Sequence, residues 1–140
     1  MSFIRSIVAI LAGIGLVSIV SEVLEFTLVA AAAGGTIADL EGYFAVRNRP
    51  SILTAKLVYN TGAAVLGGYV TARIAGAHGL AHARIAAVVQ TAALIHGFTL
   101  GEYAAFTPVW MRIALVGLMG PAMIAGGTIR ERAQRLEPRD

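Results

Sequence analysis

The chain contains no cysteine. That excludes disulfides, thiolate nucleophiles, cysteine-ligated clusters and thioether-linked haem, and it leaves the redox compartment undetermined. Charge is also scarce. Asp, Glu, Lys and Arg make up 14% of the 140 residues, against about a quarter in soluble domains. The glycine doublets Gly67-Gly68 and Gly126-Gly127 come without a Gly-x-x-x-x-Gly-Lys arrangement, so no phosphate cradle is expected. No Gly-x-Ser-x-Gly elbow or other nucleophile arrangement is present either. The net charge of +3 and pI near 9.8 raise nucleic-acid binding. The arginines nevertheless fall at segment ends and form no single stripe, and no base-reading motif accompanies them, so no nucleic-acid partner is expected.

What the chain has instead is apolar surface: 57% hydrophobic residues and a mean hydropathy of +0.75. Its length suits one domain, 1–140. Four apolar runs, at about 6–29, 52–74, 85–104 and 109–129, are each near the roughly 20 residues that cross a bilayer. The expected fold is all-α, an integral membrane four-helix antiparallel bundle with the lipid bilayer as its first partner. The opening run could be mistaken for a secretory signal ending at Ala30 to Ala33, but it is too long and carries two acids. Between the first two runs, Gly34 to Pro50 reads as a polar connection, with Tyr43 and Phe44 at headgroup level or on a short interfacial helix. Gly76 to Ala81 reads as a short turn, Gly120-Pro121 as a bend, and 130–140 as a charged tail.

Positive charge sets the orientation. Arg5, Arg73, Arg84, Arg130, Arg132, Arg135 and Arg139 fall on one side; Arg47, Arg49, Lys56 and Arg112 fall on the other, with Asp39, Glu41 and Glu102. Both termini are therefore expected in the cytoplasm. Tyr43, Phe44, Tyr103, Phe106 and Trp110 gather at the outer boundary, as interfacial aromatics do.

The first run carries Glu22 and Glu25, and carboxylates in oil need company. At about 1.5 Å per residue, Glu22 lies roughly 24 Å above Ser6, in the outer part of a core about 30 Å thick. Lys56, Asn60, Glu102 and Arg112 reach the same outer half, and His96 lies nearer the middle. These seven residues form the expected intramembrane polar group, with Glu22 foremost. Two readings of it stay open: a protonation-linked site, or ion pairs and hydrogen bonds that lock helices together, with some side chains snorkelling to headgroups. A metal on Glu22, Glu25, His96 and Glu102 is not expected, for want of a Glu-x-x-His pair. The pair His78 and His82 reads as solvated, and Gln90 as a hydrogen bond to a neighbouring helix. Small residues mark close helix contact: Gly13 with Ala9, then Gly67, Gly68, Gly120 and Pro121.

The segment Gly67-Gly68-Tyr69-Val70-Thr71-Ala72-Arg73-Ile74-Ala75-Gly76 resembles the inner end of the second helix in a group of small bacterial four-helix membrane proteins of uncharacterised function. Arg5-Ser6-Ile7-Val8-Ala9-Ile10-Leu11-Ala12-Gly13 and Pro121 to Gly127 before Arg130 resemble their layout. Where that group commonly has an Asp late in the first helix, this chain has Glu22. The resemblance implies a bacterial inner (cytoplasmic) membrane and no activity. The function expected is that of a non-enzymatic membrane component without cofactor or catalytic residues, either a homo-oligomer or an accessory subunit beside another membrane protein. The alternative is a small proton-coupled transporter or channel using Glu22.

Overall fold

The computed structural model describes residues 3–37, 39–102 and 104–136. Tyr103 and the last four residues of the charged tail lie outside the described residues. Five α-helices account for most of the rest: α1 (Phe3–Ala33), α2 (Leu40–Arg47), α3 (Pro50–Ala75), α4 (Gly79–Leu100) and α5 (Val109–Leu136). Two single 3₁₀ turns, Gly76–His78 and Ala104–Phe106, join α3 to α4 and α4 to α5. No strand occurs among the described residues. Three helical stretches, Phe3–Ala33, Pro50–Leu100 and Val109–Leu136, are long and apolar enough to cross a membrane.

The second of these stretches is doubled back on itself. Gly76 ends α3 with a φ of 74°, a conformation that costs glycine little. Arg5 Nε donates to the carbonyl of Ile74 at 2.7 Å, answering one of the carbonyls that a helix end leaves open. The turn needs only three residues, so α4 starts at Gly79, earlier than the apolar run at 85 suggests. The tail likewise continues α5 in helix as far as Leu136.

Contacts define the arrangement. Arg5 meets Ile74 while Glu25 meets Lys56, so α1 and α3 are antiparallel. Leu53 packs on Met111 and Gly68 on Met123, so α3 and α5 are parallel. Gly127 meets Ala83 and Gly120 meets Thr91, so α4 and α5 are antiparallel. α3 lies against all three other long helices, and α1 and α4 are the loosest neighbouring pair.

Small residues bring α3 this close to its neighbours. A Cβ on Gly67 would stand 2.5 Å from Val17 Cγ2 and 2.7 Å from the Gly13 carbonyl. On the other side of α3, a Cβ on Gly68 would strike the carbonyl of Met123. The centre of the bundle is accordingly built from Val17, Ala63, Ala64, Ala86, Ala87, Met119 and Met123, while Phe3, Leu11, Phe26, Val58, Val88 and Ile113 point outward. In the most apolar window of α1 only 17% of residues are buried, so its greasy side chains face out and its small ones face in. That distribution is the reverse of a water-soluble helix and is what helix packing in lipid uses.

Candidate functional site

The buried residues of α1 are Ala9, Gly13, Val17, Glu25 and Val29. Half-buried Ser21 fills the gap in this row, so one residue in every four faces α3. Residues four apart stack on one side of a helix, and the row that begins with Ala9 and Gly13 leads to Glu25. Glu22 lies three residues earlier, about 60° round the helix, and is exposed. The acid expected foremost is thus not the enclosed one.

Glu25 is only 8% exposed, and so are Arg47 and Lys56. Arg47 Nε donates to Glu25 Oε1 at 2.7 Å. Lys56 Nζ forms a close ion pair with Oε2. The phenols of Tyr43 and Tyr59 donate to Oε1 and Oε2, each at 3.2 Å. One carboxylate thus receives four donors from α2 and α3. Arg47 Nη1 also donates to Thr107 Oγ1 at 3.2 Å, extending the network to the start of α5.

α2 delivers Tyr43, Phe44 and Arg47 as one inward face. Asp39 caps it, accepting from the Gly42 amide at 2.7 Å, which satisfies a free N–H of the first turn. Arg49 Nη1 donates to the Ala32 carbonyl at 3.1 Å, and Asn48 Nδ2 to the Phe106 carbonyl at 2.7 Å. Phe44 stacks on Phe106 with ring centres 4.5 Å apart, and the Arg47 guanidinium lies 5.1 Å from the Phe44 centroid. Burial pushes the Tyr43 phenol up from its ordinary value, Arg47 partly opposing and Glu22 adding to the rise. It therefore stays protonated and able to donate. Burial also pulls the Arg47 guanidinium down, against the nearby Tyr43, Tyr59 and Glu22.

Part-way round this node α1 and α4 separate, leaving an open cleft of about 470 Å³ with Glu22, Glu25, Arg47, Phe98 and Glu102 on its walls. Comparison with protein-family models, curated proteins and solved structures finds no match. The chemistry of the site has to be argued from its own residues.

Of the seven expected polar residues, the structure brings Glu25 and Lys56 into contact, while buried Asn60, one turn along α3, donates its Nδ2 to the Lys56 carbonyl of its own helix at 2.8 Å. The others do not join. Glu22 and Glu102 are exposed on the cleft, the latter because α4 has already ended at Leu100. His96 is exposed, six residues and so about 240° round from buried Gln90. Arg112 is half-buried and donates to the carbonyls of Thr107 and Phe98 at 2.7 and 3.4 Å, so it ties the end of α4 to the start of α5 and meets no acid among the described residues. Gln90 is buried on α4, and its Oε1 has no hydrogen-bond partner among the described residues. His82 bonds the His78 carbonyl and Ser6 Oγ at 2.8 and 3.1 Å.

Arg47, Tyr43, Tyr59 and Thr107 are the members that sequence reasoning misses. The signal for Arg47 is local: Phe44 and Arg47 are three apart and Tyr43 and Arg47 four apart, behind a capping Asp39. Among the described residues no three His, Asp or Glu side chains come together for a metal.

Proposed function

We propose that the chain is a non-enzymatic integral membrane protein, crossing the bilayer four times with both termini cytoplasmic. It acts as a homo-oligomer or as an accessory subunit of a larger membrane complex. The observation that carries this reading is the saturation of Glu25 by two cations and two phenols. A carboxylate held this way is neither a free base nor a nucleophile; it fastens α1, α2 and α3 together.

Four crossings are supported by the lengths of α3 and α4, 26 and 22 residues, each enough for a bilayer core. Orientation is supported by Arg5, Arg73, Arg84, Arg130, Arg132 and Arg135, which all belong to the bundle end remote from Glu25. A bacterial inner membrane is the setting that the Gly67–Gly76 resemblance implies. Association is supported by an outward row on α5: Gly117, Pro121 and Ala125 are exposed and four apart. Pro121 has no N–H, so the Gly117 carbonyl lacks its helical donor on that same face.

A second reading, a small proton-coupled transporter or channel, is favoured by the position of Glu22, exposed on the cleft and outside the Glu25 ion pairs. One experiment separates the two. The purified chain is reconstituted in liposomes under a pH gradient and read with a pH-sensitive dye, and its mass is measured in nanodiscs. The proposal expects no flux above empty vesicles and more than one chain, or a bound partner, per particle. Flux that disappears in a folded Glu22→Gln variant overturns it in favour of transport. A strictly single chain without partner overturns the assembly half.

A further inference from the structure

Small residues four apart do two opposite things in this bundle. Between α1 and α3 they let backbones touch. On α4 the small residues Ala93 and Gly97, followed by Gly101 just past the helix end, face the cleft instead, and a Cβ added at Gly97 would find nothing within 4 Å. All three line the cleft. Gln90 is the last buried residue of α4, and Ala93 and Leu94 lie one turn beyond it on the same face. The cleft opens because α4 lacks side chains where α1 would otherwise close on it.

The charge around the cleft is unevenly paired. Glu22, Glu25 and Glu102 line it with Arg47, and Lys56 stands behind Glu25. Three carboxylates face three cations: Arg47 and Lys56 are bound to Glu25, and Arg112 to the carbonyls of Thr107 and Phe98 on the cleft wall. Glu22 and Glu102 make no hydrogen bond or ion pair among the described residues. The remaining wall is apolar and aromatic, with Leu94, Phe98 and Tyr43, and aromatic faces attract cations. About 470 Å³ is within the range of small-molecule sites, roughly 300–1,000 Å³.

We infer that the cleft between α1 and α4 binds an organic monocation, an ammonium or quaternary nitrogen on an apolar body, with Glu22 and Glu102 as its counter-charges. One such cation supplies the contact counter-charge that Glu22 and Glu102 lack, and its apolar part covers Leu94 and Phe98. A bare metal ion fits poorly, since no three ligating side chains converge among the described residues. A free amine and an amine-bearing lipid headgroup share this chemistry. The inference goes beyond the structural reading above, and it is tested by binding without any gradient, so its failure and the failure of that reading are distinct.

The probe is benzyltributylammonium, titrated calorimetrically into the full chain in a non-ionic detergent. Saturable binding of one per chain is expected. Glu22→Gln and Glu102→Gln each weaken it about tenfold, the loss of one nearby counter-charge at intermediate dielectric. Glu41→Gln, at an exposed acid of α2 outside the cleft, leaves it unchanged. Gly97→Leu fills the cleft without altering charge and abolishes binding; because the space there is empty, helicity and monodispersity are retained. Should a Gln variant fail to fold, Glu22→Asp and Glu102→Asp keep the charge test available, both retaining binding. Native mass spectrometry from phosphatidylethanolamine-containing membranes identifies the source. An adduct of that lipid, lost in Gly97→Leu, assigns the lipid headgroup; no adduct with probe binding intact assigns a free amine, and either supports the inference. Three results overturn it: no saturable binding, equal affinity for p-toluenesulfonate, or probe binding that survives both Gly97→Leu and the Glu22→Gln/Glu102→Gln double variant.

Discussion

Replacing Glu25 by Gln strands two cations. Glu25, Arg47 and Lys56 are each 8% exposed, so a charge left unpaired there stays largely buried. Removing one member of a buried ion pair costs about 3–5 kcal/mol, mainly because the other charge stays buried. Here two cations lose their anion, but Gln still accepts a hydrogen bond, and Arg47 keeps Thr107 as an acceptor at 3.2 Å. The opposing corrections leave an expected loss of about 4 kcal/mol, inside that range. The control is three residues away: Glu22→Gln, at an exposed acid that makes no hydrogen bond or ion pair among the described residues, should stay within about 0.5 kcal/mol of the parent. Adding Lys56→Met to Glu25→Gln removes one stranded charge and should recover about half the loss; set against Lys56→Met alone, that is a non-additivity diagnostic of direct contact. Unfolding in detergent, followed by circular dichroism against denaturant, measures all five proteins. If Glu25→Gln came within about 1 kcal/mol of Glu22→Gln, the carboxylate would not be what holds α1, α2 and α3 together, and the reasoning from burial would fail.

Other consequences are as direct. Gly68→Ala forces a methyl into the Met123 carbonyl and should cost about 1–3 kcal/mol, whereas Gly62→Ala, with nothing within 4 Å, should be neutral or stabilising by up to about 1 kcal/mol; the same unfolding assay reads both. Asp39→Ala removes the α2 cap and should cost about 0.5–2 kcal/mol locally, seen as faster hydrogen exchange at 40–43 with α3 unchanged. Because the chain has no cysteine, Thr36→Cys and Ala77→Cys each introduce a single label site. An impermeant maleimide on intact cells should reach residue 36 from outside and residue 77 only after lysis. Labelling of residue 77 in intact cells would reverse the proposed orientation.

The helices are legible in the sequence because hydropathy alone outlines them. The apolar runs fall inside α1, α3 and α5 and overlap most of α4, with the largest misses at its start, where a three-residue turn replaces a longer one, and at its end, which falls at Leu100. The site is legible only in part. Lys56 and Asn60 fall inward because they sit on the face of α3 that continues through Ala64 and Gly68. Depth along α1 does not choose between Glu22 and Glu25; azimuth does, and the four-residue row from Ala9 carries it. Arg47 is harder to read, since a stretch rich in charge between two apolar runs looks like a solvated loop. Its inward direction depends on α2 being helical and on Phe44 finding Phe106, a partner 62 positions away that no local pattern announces.

The spacing of the ion-paired residues has a consequence for how the protein is made. Glu25 and Lys56 are 31 positions apart, and chains grow at about 5–20 residues per second, so on the membrane reading α1 is complete on the order of seconds before its counter-charges exist. Until then the first helix holds Glu25 without its partners, a costly state in lipid. On that reading the hairpin of α1 and α3, joined by α2, is the earliest unit in which Glu25 is answered, and α4 and α5 pack onto it afterwards.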